Sequence, residues 1–79
     1  MPQKLKQDIA IGPTIRRLRT EAGLTQEQVV SKLQLKGLST SRSIYSQIEV
    51  GTYNIRISEL TALKEIFGVS YADFFADLP

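Results

Sequence analysis

The sequence predicts an all-α fold of five short helices, and three observations support this fold class. Apolar residues recur at spacings of three and four, as they do on one face of a helix. Turn residues, mainly glycine, divide the chain into five such stretches. No segment alternates apolar and polar residues at the period of two that a half-buried strand requires, so no sheet is predicted.

The 79 residues are enough for one domain. Residues 1–8 are expected to form a flexible N-terminal arm, and residues 9–79 the folded domain. The first helix is predicted over residues 13–22. Pro13 suits its first turn, where a missing N–H costs nothing, and Gly23 ends it.

The second helix is predicted from residue 25 to about residue 33. Thr25 and Gln28 have the spacing of a capping box, in which each side chain satisfies an open backbone N–H group. Residues 34–40 contain Gly37 together with serine and threonine, and they are expected to form a connector rather than a helix.

The third helix is predicted over residues 42–50, with Ser41 as its cap and Gly51 at its end. Tyr45 and Ile48 lie three residues apart and are expected to face the core.

The fourth helix is predicted over residues 57–67, ending at Gly68, and the fifth over residues 71–78. Ser70 and Asp73 repeat the capping-box spacing at the start of the fifth helix, with Asp in place of Glu.

Composition excludes several classes of function. The chain has no cysteine and no histidine, so it lacks the residues for a disulfide scaffold, a zinc site or a Ser-His-Asp triad. It also has no glycine-rich phosphate loop, and therefore no enzyme, no metal and no cofactor is predicted. No apolar stretch approaches the roughly 20 residues that span a bilayer, and no signal peptide is evident. A cytoplasmic protein with no membrane partner is expected.

Charge is divided unevenly along the chain. Residues 1–43 contain eight basic and three acidic groups, a balance of +5, whereas residues 44–79 contain two basic and five acidic groups, a balance of −3. A basic half is suited to a polyanion such as DNA, and an unevenly charged solvated surface is the alternative.

Four motifs resemble the helix-turn-helix family of phage repressors and Cro proteins, also called XRE-like. They are Ile15-Arg16-Arg17-Leu18-Arg19, then Gly23-Leu24-Thr25-Gln26-Glu27, then Ser41-Arg42-Ser43 through Ser46-Gln47-Ile48-Glu49 with Gly51, then Phe67-Gly68-Val69-Ser70. Each motif alone is weak, but their order and spacing over about residues 9–78 are specific. The resemblance implies a compact, lambda-repressor-like DNA-binding domain in which helices 2 and 3 form the helix-turn-helix. The third helix, here called the reading helix, would lie in the major groove.

The resemblance places four residues of the reading helix at base-contacting positions: Arg42, Ser43, Gln47 and Ile44. Arginine can donate two hydrogen bonds to guanine, glutamine can pair with adenine, and serine is permissive. Contact of Arg42 with phosphate alone is an alternative. Ile44 replaces the small polar residue common at this position, and both contact with a thymine methyl and burial in the core remain open.

The resemblance also implies contacts to the DNA backbone. The candidate residues are Thr25, Gln26, Ser41, Lys36, Tyr53 and Asn54. Backbone N–H groups and the dipole at the start of the second helix favour a phosphate, and Gln26 is expected to brace the reading helix as well. Caps and solvated side chains are the structural alternatives for these residues.

Arg19 and Glu49 match positions that form a buried ion pair between the first and third helices in this family. Such a pair would orient the reading helix without necessarily adding net stability, because burying two charges is costly.

Two features depart from the common family pattern. The connector before the reading helix is longer than usual, which indicates a subgroup and a wider turn. Arg56 stands where serine often caps the fourth helix, so either Ser58 provides the cap or Arg56 faces a phosphate.

The function expected from the resemblance is a sequence-specific transcriptional regulator, most simply a repressor. Its partners would be double-stranded DNA, with a palindromic operator, and a second copy of the chain. The fifth helix is the expected dimer contact, because its Tyr71, Phe74, Phe75 and Leu78 are more apolar than one short helix needs, although Phe74 is expected in the core. The alternative function is an antitoxin-like or protein-interaction module that retains the fold.

Overall fold

The structure, a computed structural model, describes residues 11–76, and these form five α-helices and no strand. The helices are α1 (Gly12–Glu21), α2 (Gln26–Leu35), α3 (Arg42–Val50), α4 (Ile57–Phe67) and α5 (Tyr71–Phe75). The all-α, five-helix prediction is confirmed. The predicted N-terminal arm and the last part of the predicted fifth helix lie outside the described residues.

The predicted end of α2 is wrong. α2 continues two residues beyond the predicted end, to Leu35, because Gly37 has a left-handed φ of +88° and allows the chain to close over the last turn. The N–H of Leu38 then donates to the carbonyl of Leu33 at 3.1 Å. Within the described residues, α5 ends at Phe75 and Ala76 is in a turn, and the predicted end at residue 78 lies outside them.

The capping bonds that the sequence predicts at the starts of α2 and α3 are present. The Thr25 hydroxyl accepts from the Gln28 N–H at 3.1 Å, and the Gln28 side-chain oxygen accepts from the Thr25 N–H at 2.8 Å. This is the predicted capping box. Ser41 caps α3 by accepting from the Ile44 N–H at 3.1 Å. These bonds satisfy N–H groups that have no partner within a helix.

The start of α4 is capped neither by Ser58 nor by the side chain of Arg56. Arg56 occupies the capping position with an extended backbone, and its side chain makes no capping bond. Instead, the Glu59 carboxylate reaches back and accepts from the Arg56 N–H at 2.9 Å. Ser58 lies inside the helix and does not cap it.

The core lies where α3 packs against α1 and α2, with α4 on α2 and α5 on α1. The largest fully buried side chains are Tyr45, Phe74, Ile15, Leu33, Ile48, Ile55, Leu63 and Val29. Burying each aliphatic or phenylalanine side chain of this set stabilises the fold by about 1.5–3 kcal/mol. Tyr45 and Ile48, the predicted inward pair of α3, are both 0% exposed.

Gly12 permits an unusually close approach of two helices. It begins α1, and a Cβ atom at this position would overlap the backbone carbonyl of Glu49 and lie 2.8 Å from the carbonyl oxygen of Ile48. The N-terminus of α1 therefore rests directly on the backbone at the end of α3.

α5 divides its aromatic residues between the core and solvent. Phe74 is fully buried, with its ring centroid 6.4 Å from that of Phe67, as expected for a core residue. Tyr71 and Phe75 are 44% and 42% exposed. Within the described chain, none of the helices is both long enough and apolar enough to cross a membrane.

Candidate nucleic-acid interface

The outward face of α3 is formed by residues that repeat at helical spacing. Ser43, Gln47 and Val50 are four and three residues apart, which places them on one stripe, and all three are exposed. Tyr45, Ile48 and Glu49 occupy the opposite, buried side. α3 therefore presents a mainly polar surface to solvent while its other face belongs to the core.

Arg42 lies between the N-termini of α2 and α3. Its Nε atom donates to Oε1 of Gln26 at 2.8 Å, and its Nη1 atom lies 3.2 Å from Oε1 of Glu27. The side chain remains 53% exposed. The guanidinium is thus held at the edge of the polar face rather than pointing freely from it.

Gln26 connects the start of α2 to three points on α3. Its Nε2 atom donates to Oε1 of Glu49 at 2.9 Å. Its Oε1 atom accepts from Nε of Arg42 at 2.8 Å and from the Ser46 hydroxyl at 2.9 Å. This amide therefore braces the reading helix, which is one of the two functions expected of Gln26.

Arg19 of α1 and Glu49 of α3 form an ion pair with two hydrogen bonds. Nε of Arg19 lies 2.7 Å from Oε2 of Glu49, and Nη2 lies 3.2 Å from Oε1. Nη1 of Arg19 donates to the Leu24 carbonyl at 2.9 Å. The two side chains are 12% and 4% exposed, so the pair joins the two helices in a largely dry environment.

The surroundings of this pair keep the Glu49 carboxyl ionised. Burial alone would raise the pKa of Glu49, but hydrogen bonds from Arg19 and Gln26, with Tyr45 close by, lower it below its ordinary value. The same hydrogen bond to Glu49 raises the pKa of Arg19 despite partial burial.

Tyr45 places a hydroxyl beneath the Arg19–Glu49 pair. This oxygen is buried, and no hydrogen bond to it is found among the described residues. Burial and the neighbouring Glu49 carboxylate raise the pKa of Tyr45 far above its ordinary value, so the phenol stays protonated.

The structure separates Ile44 from the other predicted base-contacting residues. Its side chain is half-buried and packs against the core. It also lines, with Leu38 and Tyr53, a cavity of about 200 Å³ beside the connector. Of the two possibilities left open by the sequence, the structure favours packing over contact with a thymine methyl.

The predicted backbone-contacting residues do not form one group. Thr25, Gln26 and Ser41 lie at the neighbouring N-termini of α2 and α3. Tyr53 is half-buried in the loop after α3, and Asn54 beside it is exposed.

Lys36 has an intramolecular partner that the sequence did not indicate. Its Nζ atom lies 2.7 Å from Oε1 of Glu65 on α4, and this contact lowers the pKa of Glu65. This contact is exposed, with side chains 39% and 55% accessible, and such surface pairs are weak, so contact of Lys36 with DNA stays a prediction.

Three residues at this surface were missed by the sequence reasoning. Val50 is 74% exposed on the stripe of Ser43 and Gln47, and the helical spacing could have identified it. Ser46 and Glu27 contact Gln26 and Arg42, respectively. Nothing in the local sequence indicates these two contacts, because they depend on how α2 and α3 pack.

The described residues offer no candidate metal site, since no three acidic side chains among them converge.

Comparison with known proteins identifies similar folds. A family model described as a helix-turn-helix domain matches residues 12–77. The restriction-modification controller protein C.AhdI from Aeromonas hydrophila is 27% identical, with a TM-score of 0.71 over 85% of this chain and 94% of that one. The wild-type restriction-modification controller protein C.Esp1396I is 30% identical, with a TM-score of 0.68 over 85% of this chain and 82% of that one. No match was found among curated proteins.

Proposed function

Because this chain belongs to the helix-turn-helix family and is a sequence-specific DNA-binding regulator, we propose that α3 reads the major groove of its operator. The observation that carries the proposal is the exposed polar face of α3, which lies beside the N-terminus of α2. A helix presented in this way fits the width of the major groove, while the neighbouring helix end is suited to the phosphate backbone.

The base contacts are assigned to Arg42, Ser43 and Gln47. The Gln47 amide can pair with adenine, and the Arg42 guanidinium can reach guanine or, by releasing Glu27, a phosphate. Val50 joins this group, because its exposed methyl groups are suited to the methyl group of thymine.

The contacts to the DNA backbone are assigned to Thr25, Gln26 and Ser41, with Asn54 in the following loop. Thr25 and Ser41 lie at the ends of helices whose N–H groups and dipoles attract a phosphate. Such contacts would fix the orientation of α3 in the groove without reading sequence.

The biological form of this function is regulation by a homodimer on a palindromic operator. One reading helix covers few base pairs, and a two-fold pair reads two half-sites about one helical turn apart. The similar solved structures are named restriction-modification controller proteins. We therefore extend the proposal to control of restriction-modification genes, with repression as the simplest mode.

An antitoxin-like or protein-interaction module would require an apolar contact surface on α3. Ile44, the residue that favoured this alternative, packs inward against the core. Val50 leaves an apolar side chain at the end of the polar stripe, which is too little for such a surface.

Selection from random double-stranded DNA tests the proposed function directly. We expect one enriched motif with two inverted half-sites, and weaker binding to a scrambled sequence of equal length. Enrichment of a single half-site would retain DNA reading but contradict the dimer. The absence of any enriched motif, with purified and folded protein, would contradict the proposed function.

A further inference from the structure

Glu59 is a buried carboxylate on α4 that hydrogen-bonds to the chain on both sides of the reading helix. The residue is 3% exposed. Its Oε2 atom accepts from the Thr40 hydroxyl at 2.6 Å, and its Oε1 atom accepts from the Arg56 N–H at 2.9 Å. Thr40 lies just before α3, and Arg56 ends the loop that follows it. One carboxyl group therefore holds both the entry and the exit of the reading helix.

The Thr40 contact has the character of a strong hydrogen bond. Its donor–acceptor distance of 2.6 Å lies at the short end of the range for O–H···O hydrogen bonds. Thr40 is itself 5% exposed, so little water is available to replace the bond. A buried carboxylate oxygen without a partner is costly, and each partner of Glu59 is therefore strongly held.

This bond gives the long connector a fixed point next to the reading helix. The connector, residues 36–41, is wider than a tight turn, and Gly37 within it has a left-handed backbone. The Arg19–Glu49 pair holds α3 near its C-terminal end. The bond between Thr40 and Glu59 holds the chain at the other end, where Arg42 and Ser43 begin the helix.

We propose that Glu59 is a positioning residue for DNA recognition, which acts through Thr40 to place the N-terminal end of the reading helix against the bases. This inference rests on the proposed function, because it requires that α3 reads DNA. Glu59 itself need not touch DNA, and a change at Thr40 should alter which sequences are distinguished more than how strongly any DNA is held.

The test compares Thr40→Val, which keeps the shape but removes the hydroxyl, with Thr40→Ser, which keeps the hydroxyl. For each variant, the affinity for the selected site is divided by the affinity for scrambled DNA. Unfolded protein lowers both affinities by the same factor, so this ratio reports positioning rather than stability. We expect the ratio to fall on the order of tenfold in Thr40→Val, as for partial loss of one base contact, and to stay near wild type in Thr40→Ser.

Thr20→Val is the matched control. It makes the same chemical change at an exposed hydroxyl whose bonds among the described residues are to the backbone of α1, at 3.1 Å to the Arg16 carbonyl and 2.9 Å to the Arg17 carbonyl. It should leave the ratio unchanged. Because none of these variants removes a cation, the salt dependence of binding should also stay the same.

Glu59→Asp provides a second test if Thr40→Val does not fold, because the shorter side chain cannot reach both partners. A wild-type ratio in a folded Thr40→Val or Glu59→Asp variant would overturn the inference, as would equal losses in Thr40→Val and Thr20→Val. If the wild-type protein itself prefers no DNA sequence, the proposed function fails instead, so the two failures are distinguishable.

Discussion

Gln47 and Arg42 are both assigned to base contacts, although only Arg42 has side-chain partners among the described residues. Gln47 is exposed, whereas Arg42 bonds to Gln26 and lies beside Glu27. We expect Gln47→Ala to weaken binding to the selected site by about 1–3 kcal/mol and to leave scrambled DNA nearly unaffected. Arg42→Ala should weaken specific binding by a similar amount. Titrations on both DNAs would check this, and an equal loss on both for Arg42→Ala would assign that residue to phosphate.

Removing one member of the Arg19–Glu49 pair should lower the free energy of unfolding more than replacing both members with apolar residues. Arg19→Met leaves a buried carboxylate with Gln26 as its remaining donor, and we expect a loss of about 3–5 kcal/mol in the free energy of unfolding. Adding Glu49→Leu should recover much of this loss, because apolar residues of similar volume often match a buried pair.

Urea denaturation of the two single variants and the double variant gives the coupling energy. Arg19→Lys is a milder control, since an ammonium group cannot make the same two parallel bonds to Glu49. Single variants within about 0.5 kcal/mol of wild type would show that the pair is energetically equivalent to a solvated surface contact.

Acid should remove the stabilising contribution of Glu49. Its pKa is lowered in the folded protein, so the unfolded chain takes up a proton first as pH falls. The contribution is complete above the ordinary glutamate pKa of about 4.3, and it is lost as pH falls through the lowered folded value. The difference in unfolding free energy between wild type and Glu49→Gln should therefore shrink below about pH 4.3. The lowered pKa of Glu65 is common to both proteins and cancels. A difference that stays constant down to acid unfolding would contradict this expectation.

Contacts between individual residues were harder to predict from the sequence than the helices that contain those residues. The family motifs placed Arg19 and Glu49 together, and the structure pairs them. They could not indicate the bond from Thr40 to Glu59, or that from Lys36 to Glu65, because each joins residues far apart in sequence. Such contacts depend on the packing of helices, which local spacing does not specify.

At the scale of helices, the contact of α1 with the end of α3 should tolerate no side chain at Gly12. Helix propensity alone would make Gly12→Ala stabilising by about 1 kcal/mol. The added Cβ instead meets the Glu49 backbone, and we expect destabilisation by about 1–3 kcal/mol as the two helices separate. Thermal and urea unfolding would measure it, and a more stable Gly12→Ala protein would show that the helices adjust without cost.

Helix ends were predictable where one residue type dictates the backbone. Gly51 and Gly68 adopt left-handed conformations and end α3 and α4 at the predicted positions. The end of α2 was not predictable in this way. Leu35 continues the helix although it is 87% exposed and contributes nothing to an apolar face. The cap of α4 was missed because a glutamate inside the helix, rather than a hydroxyl before it, provides the bond.

At the scale of the whole molecule, the aromatic residues left exposed on α5 should form the dimer contact. Phe75 and Tyr71 remain nearly half exposed although Phe74 is buried. We expect Phe75→Asp to raise the dimer dissociation constant by about thirtyfold or more, the effect of losing one aromatic anchor. Leu35→Asp is the matched control, because it places the same charge at a more exposed apolar residue on α2. Sedimentation of the free proteins would decide, and dissociation by Leu35→Asp alone would move the interface to α2.

The side chains that face outward on α3 are not those that hold α3 in place. No described residue hydrogen-bonds to the side chains of Ser43 and Gln47, and Val50 extends into solvent, whereas Arg19 and Glu49 are largely enclosed. Under the proposed function, operator preference and thermal stability are therefore separable traits in this molecule. A duplicated gene could acquire a new target through a few substitutions without passing through an unstable intermediate. For the same reason, a library randomised at Ser43, Gln47 and Val50 is a rational starting point for engineering regulators that do not bind one another's operators.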